Sequence, residues 1–221
     1  MDPYQQSFIE LAESVGALAF GEFQLKSGRT SPYFFNAGKF NTGQALATIG
    51  KCYADKIVDT GIRFDMLYGP AYKGIPLVAS TANALALDHG IDVPYSFNRK
   101  EAKSHGEGGI FVGAKPAGRV LVLDDVITAG TAIRESLELL RGTAGVEVVD
   151  VLIGLDRQEQ GPSGLSAIDQ LAKEADLKVH SIIHLNDLID YLSNNSPQMS
   201  NESQPDLLDS LKRYREKYGT D

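Results

Sequence analysis

The sequence predicts an α/β fold: a mostly parallel central sheet flanked by helices. Two observations lead there. Short apolar runs alternate with stretches of helical periodicity, the signature of a sheet wound through helices. The run Arg119-Val120-Leu121-Val122-Leu123 is apolar on both faces, as a strand buried inside a parallel sheet must be.

In chain order, Phe8, Leu11, Ala12 and Val15 recur at helical spacing over residues 5–15, and Gly16 ends the segment. Phe20 to Asn36 holds two aromatic, extended stretches around a Lys26-Ser27-Gly28-Arg29-Thr30-Ser31 turn, which reads as a β-hairpin. A helix over residues 42–58 takes Thr42 as its N-cap. Met66-Leu67-Tyr68 is a strand, and a helix with Pro76 in its first turn runs to about Leu87. Residues 93–97 read as strand, residues 98–109 as a polar loop, and Ile110-Phe111-Val112 as a short return strand. After the central strand, a loop over 124–130 leads to a helix over 131–141, striped by Ile133, Leu137 and Leu140 and stopped by Gly142. Strand over 146–155, helix over 165–175 and strand over 179–185 follow, with Asn186 placed to cap a short helix through Leu192. Residues 193–205 are polar and read as a linker. Leu207, Leu208, Leu211 and Tyr214 give a terminal amphipathic helix, expected to pack rather than do chemistry. The boundaries divide the chain into an N-terminal region (1–64), an α/β core (65–192), the linker (193–205) and the terminal helix (206–221).

Composition narrows the function classes. With 221 residues, 43% apolar and 23% charged, the chain can bury one sizeable core. A net charge of −8 argues against general binding to nucleic acid or anionic membranes, which need a positive field. The single Cys52 cannot form an internal disulfide, so a reducing, cytoplasmic setting is expected, with Cys52 as a small buried residue. No apolar run is long enough to span a membrane, and Met1-Asp2-Pro3-Tyr4-Gln5-Gln6 lacks the features of a secretion signal. His89, His180 and His184 show no metal spacing and read as structural or surface residues.

Chemistry concentrates at the predicted carboxyl ends of the strands, where ligands of open α/β sheets bind. Beyond the central strand stand Asp124, Asp125, Val126, Ile127, Thr128, Ala129, Gly130, Thr131 and Ala132. Main-chain N–H groups of such a loop, two threonine hydroxyls and a helix N-terminus suit a sugar phosphate. The paired carboxylates suit ribose hydroxyls. Neither a G-x-x-x-x-G-K-S/T nor a G-x-G-x-x-G pattern occurs, which excludes those nucleotide loops. Arg99, Lys100, Lys103 and His105 form a glycine-bearing basic cluster, able to close over a polyanion. Taken alone, such a cluster reads as a solvated surface.

The run Val120 to Ala132 resembles the phosphoribosyl pyrophosphate (PRPP) motif of type I phosphoribosyltransferases. Three further segments narrow the resemblance to the orotate phosphoribosyltransferase family: Phe23 to Asn36, Tyr68-Gly69-Pro70-Ala71-Tyr72-Lys73-Gly74, and Arg99 to Gly109. With Leu155-Asp156-Arg157-Gln158 it spans about Phe8 to Tyr191. The resemblance implies transfer of phosphoribose from PRPP to orotate, with residues 1–64 as a base-binding hood and residues 65–192 as the PRPP core. It assigns PRPP to Lys26, Tyr72, Lys73, Arg99, Lys100, Lys103, His105 and residues 124–132. It assigns orotate to Lys26, Phe34, Phe35, Thr128 and Arg157, and catalysis to Lys103, Asp124 and Asp125. Alternation in a strand sends Phe34 and Phe35 to opposite faces, so at least one belongs to the core. A guanidinium at position 157 also suits a carboxylate on chemical grounds.

Mg²⁺ is the implied cofactor, carried mainly by PRPP and water rather than by a protein cage. The family also implies a homodimer whose 99–109 loop serves the neighbouring site. Three other readings use the same residues. A different base is opposed by Arg157 and the Lys26 hairpin. A PRPP-sensing regulator would want a basic face or a DNA-binding extension. A receiver domain would use the acid pair but leave the basic loop without a task.

Overall fold

A computed structural model describes residues 1–25, 27–103, 109–127, 130–161, 163–195 and 204–220. Helix α1 (Pro3–Ser14) leads into a hairpin of β1 (Leu18–Gln24) and β2 (Thr30–Phe35), then α2 (Gly43–Thr60). The core alternates β3 (Met66–Gly69), α3 (Gly74–His89), β4 (Tyr95–Lys103), β5 (Gly109–Gly113), β6 (Gly118–Val126), α4 (Thr131–Arg141), β7 (Val146–Asp156), α5 (Ala167–Ala175) and β8 (Lys178–His184). Helices α6 (Leu185–Asn195) and α7 (Gln204–Tyr218) complete the chain. The main sheet has the order β5-β4-β3-β6-β7-β8, parallel except for the edge strand β5. The expected α/β architecture with an N-terminal hairpin is what forms.

Side-chain alternation splits the core into two layers. Leu67, Leu121, Leu123, Leu152 and Leu155 face α1, α2, α3, α6 and α7. Met66, Tyr68, Val120, Val122, Val151 and Ile153 face α4 and α5. Each fully buried aliphatic side chain contributes roughly 1.5–3 kcal/mol, which is why the central strands carry almost no polar residue before Asp124. The N-terminal region is built into the first layer, since Phe8, Ile49, Tyr53 and Ile57 share a cluster with Leu121 and Leu123.

Several boundaries differ from expectation. Residues 98–103 are not loop. β4 continues through Lys103, paired with β5 at Asn98↔Phe111 and Lys103↔Gly109. Since β3 ends where Gly69 meets Phe97, this stretch runs on past the sheet as a two-stranded ribbon. Asp124 and Asp125 also lie in strand rather than loop, because β7 continues alongside and pairs Asp124 with Ile153 and Val126 with Leu155. Asn186 is not a cap. It sits inside α6, whose first turn is closed by the Asp187 carboxylate accepting from the His184 N–H at 2.8 Å. Thr42 does cap α2, accepting from the Ala45 N–H at 3.2 Å. Among the described residues, no helix is long and apolar enough to cross a membrane.

Candidate active site

Strands β3, β6 and β7 lie side by side and parallel, so their carboxyl ends share one rim. This brings the loop after Gly69, the acids of β6 and Arg157 after β7 to neighbouring positions. At the first strand end, Gly69 and Gly74 almost touch. A Cβ on Gly69 would stand 2.7 Å from the Gly74 carbonyl carbon and 2.9 Å from the Val78 Cβ. That close approach turns the chain tightly into α3 and throws Ala71, Tyr72 and Lys73 outward. The Ala71–Tyr72 peptide is cis. Tyr72 is 69% exposed.

Lys73 Nζ reaches the Asp125 Oδ2 of the next strand at 2.7 Å. Asp124 and Asp125 are both buried. The Asp124 Oδ1 accepts from the Asp125 N–H at 2.9 Å, and the Asp124 carbonyl accepts from the Tyr53 hydroxyl at 2.7 Å. Burial, then the neighbouring Asp125 charge, pushes the Asp124 carboxyl up to about 7. The rim thus presents one carboxylate neutralised by lysine beside one that gains from any donor brought to it.

Past the acids, Val126 and Ile127 turn inward, and Gly130 opens α4 in the left-handed conformation at φ 71°. A residue with a Cβ is disfavoured there. The exposed Thr131 and Ala132 form the first turn of α4, with main-chain N–H groups directed away from the helix. On the other side of the acids, the β4–β5 ribbon leans on the β3–α3 loop. The Asn98 side chain accepts from the Ala71 N–H at 2.9 Å, and Lys100 Nζ lies 5.8 Å from the Tyr72 ring centre. Arg99 donates to the Gly109 carbonyl at 3.2 Å.

Arg157 is almost enclosed. Its Nε and Nη2 donate to the same Glu159 oxygen at 2.8 and 2.6 Å, and Nη2 reaches the Ser31 hydroxyl at 3.2 Å. The guanidinium lies 4.4 Å from the Tyr33 ring centre. Burial works against its charge, but Tyr33 and Glu159 outweigh it and hold Arg157 protonated more firmly than usual. On β2, Phe34 is exposed and stacks on Phe23 at 5.5 Å, whereas Phe35 is buried against Phe8 and Phe40. Alternation has therefore split the pair, and Phe35 offers a ligand only its main chain.

The fold brings together Tyr72, Lys73, Arg99, Lys100, Asp124, Asp125, Val126, Ile127, Gly130, Thr131, Ala132 and Arg157 along one rim and its flanking ribbon. Lys26, His105, Thr128, Ala129 and the Lys103 side chain lie outside the described residues. His89, His180 and His184 each pair with an aspartate: Asp55, Asp150 and Asp187. A cavity of about 870 Å³ opens between the hairpin and α7, lined by Arg29, Ser31, Tyr214 and Lys217, and does not include the acid pair. Sequence reasoning missed Tyr53, Asn98, Glu159 and Tyr214. Only Glu159, two residues from Arg157, stood near enough to a chosen residue to be found.

A profile of the phosphoribosyl transferase domain matches residues 36–183. The chain is 57% identical over 219 residues to an orotate phosphoribosyltransferase of Shigella sonnei, covering 99% of this chain and 100% of that protein. It is 56% identical, with the same coverage, to one of Escherichia coli. The crystal structure of an orotate phosphoribosyltransferase from Francisella tularensis superposes with a TM-score of 0.83 at 42% identity, over 96% of this chain and 99% of that one. A match of that extent, on a rim with this acid pair and lysine, places the chain in the phosphoribosyl transferase domain family, among the orotate phosphoribosyltransferases.

Proposed function

We propose that the protein transfers the 5-phosphoribosyl group of PRPP to orotate, giving orotidine 5′-monophosphate and pyrophosphate, in pyrimidine biosynthesis. The observation that carries the reading is the 57% identity over nearly the whole chain to an orotate phosphoribosyltransferase. The rim supports it, because its charges are arranged for a sugar bearing two anionic groups.

The bond that breaks joins ribose C1 to a pyrophosphate oxygen, and the bond that forms joins C1 to a ring nitrogen of orotate, whose N–H proton passes to the departing pyrophosphate or to water. Positive charge grows on the sugar and negative charge on the leaving group. Catalysis is then mostly charge placement. Asp124 and Asp125 accept from the ribose hydroxyls and face the cationic sugar. Residues 126–132 surround the 5-phosphate with N–H groups and hydroxyls. Lys73, Tyr72, Arg99, Lys100, Lys103 and His105 receive the pyrophosphate. Lys26, the exposed Phe34, the main chain at Phe35, Thr128 and Arg157 hold orotate, the last by its carboxylate.

The donor set also bears on Mg²⁺. The acids of the rim are two adjacent carboxylates, one already held by Lys73. Asp124 and Asp125 would be the protein acceptors for such an ion, which would keep much of its water. When bound, Mg²⁺ neutralises charge on the leaving pyrophosphate. The protein is read as a cytoplasmic homodimer in which the 99–109 segment of one subunit serves the other's site, as the family resemblance implies.

The test follows orotate's ultraviolet absorbance with PRPP and Mg²⁺. Loss of the signal with orotate, and no turnover of uracil or hypoxanthine, is expected. Turnover of hypoxanthine without orotate would overturn the substrate assignment.

A further inference from the structure

Arg157 is held on three sides, and the hold extends into α7. Glu159 occupies the Nε and Nη2 edge, Ser31 shares Nη2, and Tyr33 lies under the plane. Glu159 and Ser31 use only Nε and Nη2, so neither occupies Nη1, and the Tyr214 hydroxyl also interacts with the guanidinium. Glu159 is itself fixed. Its Oε1 accepts from the Tyr214 hydroxyl of α7 at 2.9 Å, and its Oε2 lies 3.8 Å from Arg29 Nη1. The end of α7 is also stitched to the same loop by main chain. The Gln160 N–H donates to the Tyr218 carbonyl at 2.8 Å, and the Thr220 N–H to the Gln158 carbonyl at 2.8 Å. Arg29 closes the group from the hairpin, donating to the Gln160 carbonyl at 2.7 Å with Tyr218 beneath it at 4.8 Å.

This is more than packing requires. A guanidinium can present several edges, and a carboxylate ligand is bound well only when one edge is held toward it in advance. Glu159 supplies a carboxylate that already holds Arg157 before any ligand arrives. The Tyr214 hydroxyl fixes which way that carboxylate faces. We propose that Glu159 and Tyr214 are positioning residues for orotate: they clamp Arg157 so that its remaining edge meets the substrate's carboxylate, which makes α7 part of the base subsite. The inference rests on the reading of Arg157 as the orotate-carboxylate ligand.

Three variants separate the two. Arg157→Ala tests the underlying reading, and is expected to raise the KM for orotate strongly. If it does not, that reading fails by itself. Tyr214→Phe removes one hydroxyl while keeping the ring that meets Tyr33, and Glu159→Gln keeps shape while removing charge. Both are expected to raise the orotate KM, roughly tenfold for the loss of a hydrogen bond to a charged group, with the PRPP KM close to wild type; the denaturation midpoint should stay close to wild type for Tyr214→Phe, whereas Glu159→Gln lowers it by leaving the Arg157 charge without its carboxylate. A purely structural role would move both quantities in Tyr214→Phe as well. On an Arg157→Ala background Tyr214→Phe should add nothing. If Arg157→Ala raises the orotate KM but Tyr214→Phe leaves it unchanged, or adds its full effect without Arg157, the clamp is overturned.

Discussion

At the scale of single residues, the acid pair sets the character of the site. Asp124 is buried beside another carboxylate, and its pKa near 7 is the cost of placing it there. The sign of the stability effect follows. Above about pH 4 an unfolded chain has released this proton while the folded chain still holds it. Stability of the ligand-free protein therefore falls as pH rises from about 4 to 7, and the penalty is complete above that. Asp124→Asn keeps an acceptor for the Asp125 N–H and removes the ionisation. Its unfolding midpoint should exceed that of wild type by an amount that grows over this window and then levels. A difference independent of pH would mean that Asp124 is not strained. The same change should sharply reduce turnover, since the carboxylate that destabilises the empty site is the one proposed to meet the ribose.

At the scale of elements, the β3–α3 turn and the β4–β5 ribbon carry opposite lessons. The turn depends on two glycines in contact. Gly69→Ala should cost about 1–3 kcal/mol through overpacking, read as a lower denaturant midpoint, and should weaken PRPP binding by displacing Lys73. Wild-type stability would show that the turn relaxes freely. The turn, the central strand β6 and helix α4 were legible because apolar periodicity and glycine punctuation agreed there. The ribbon was not. Arg99-Lys100-Glu101-Ala102-Lys103 has no alternation, and it extends β4 across a register shift, with pairing to β5 on either side of it at Asn98↔Phe111 and Lys103↔Gly109. Asp124 and Asp125 looked like loop for a related reason: a parallel neighbour extended their strand. Tyr53, Asn98 and Tyr214 act on groups 71, 27 and 55 residues away. No local pattern encodes such partners, whereas the catalytic run could be read because its residues are contiguous.

At the scale of the whole molecule, the proposed dimer predicts complementation. Lys103→Ala and Asp125→Asn subunits, each nearly inactive alone, should regain about a quarter of wild-type activity when mixed, because random pairing restores one intact site in each mixed dimer, half of all pairs. A verified mixed dimer without activity would refute the shared site. Cys52, finally, lies in the middle of α2, 1% exposed, and burial raises its thiol pKa to about 12. A thiol-specific dye therefore has little to attack until the packing of α2 against α1 and α3 opens. The chain carries its own clock for opening: labelling should proceed no faster than unfolding, and saturating PRPP should slow it, so one natural sulfur atom reports in real time on how firmly a ligand at the far rim holds the interior shut.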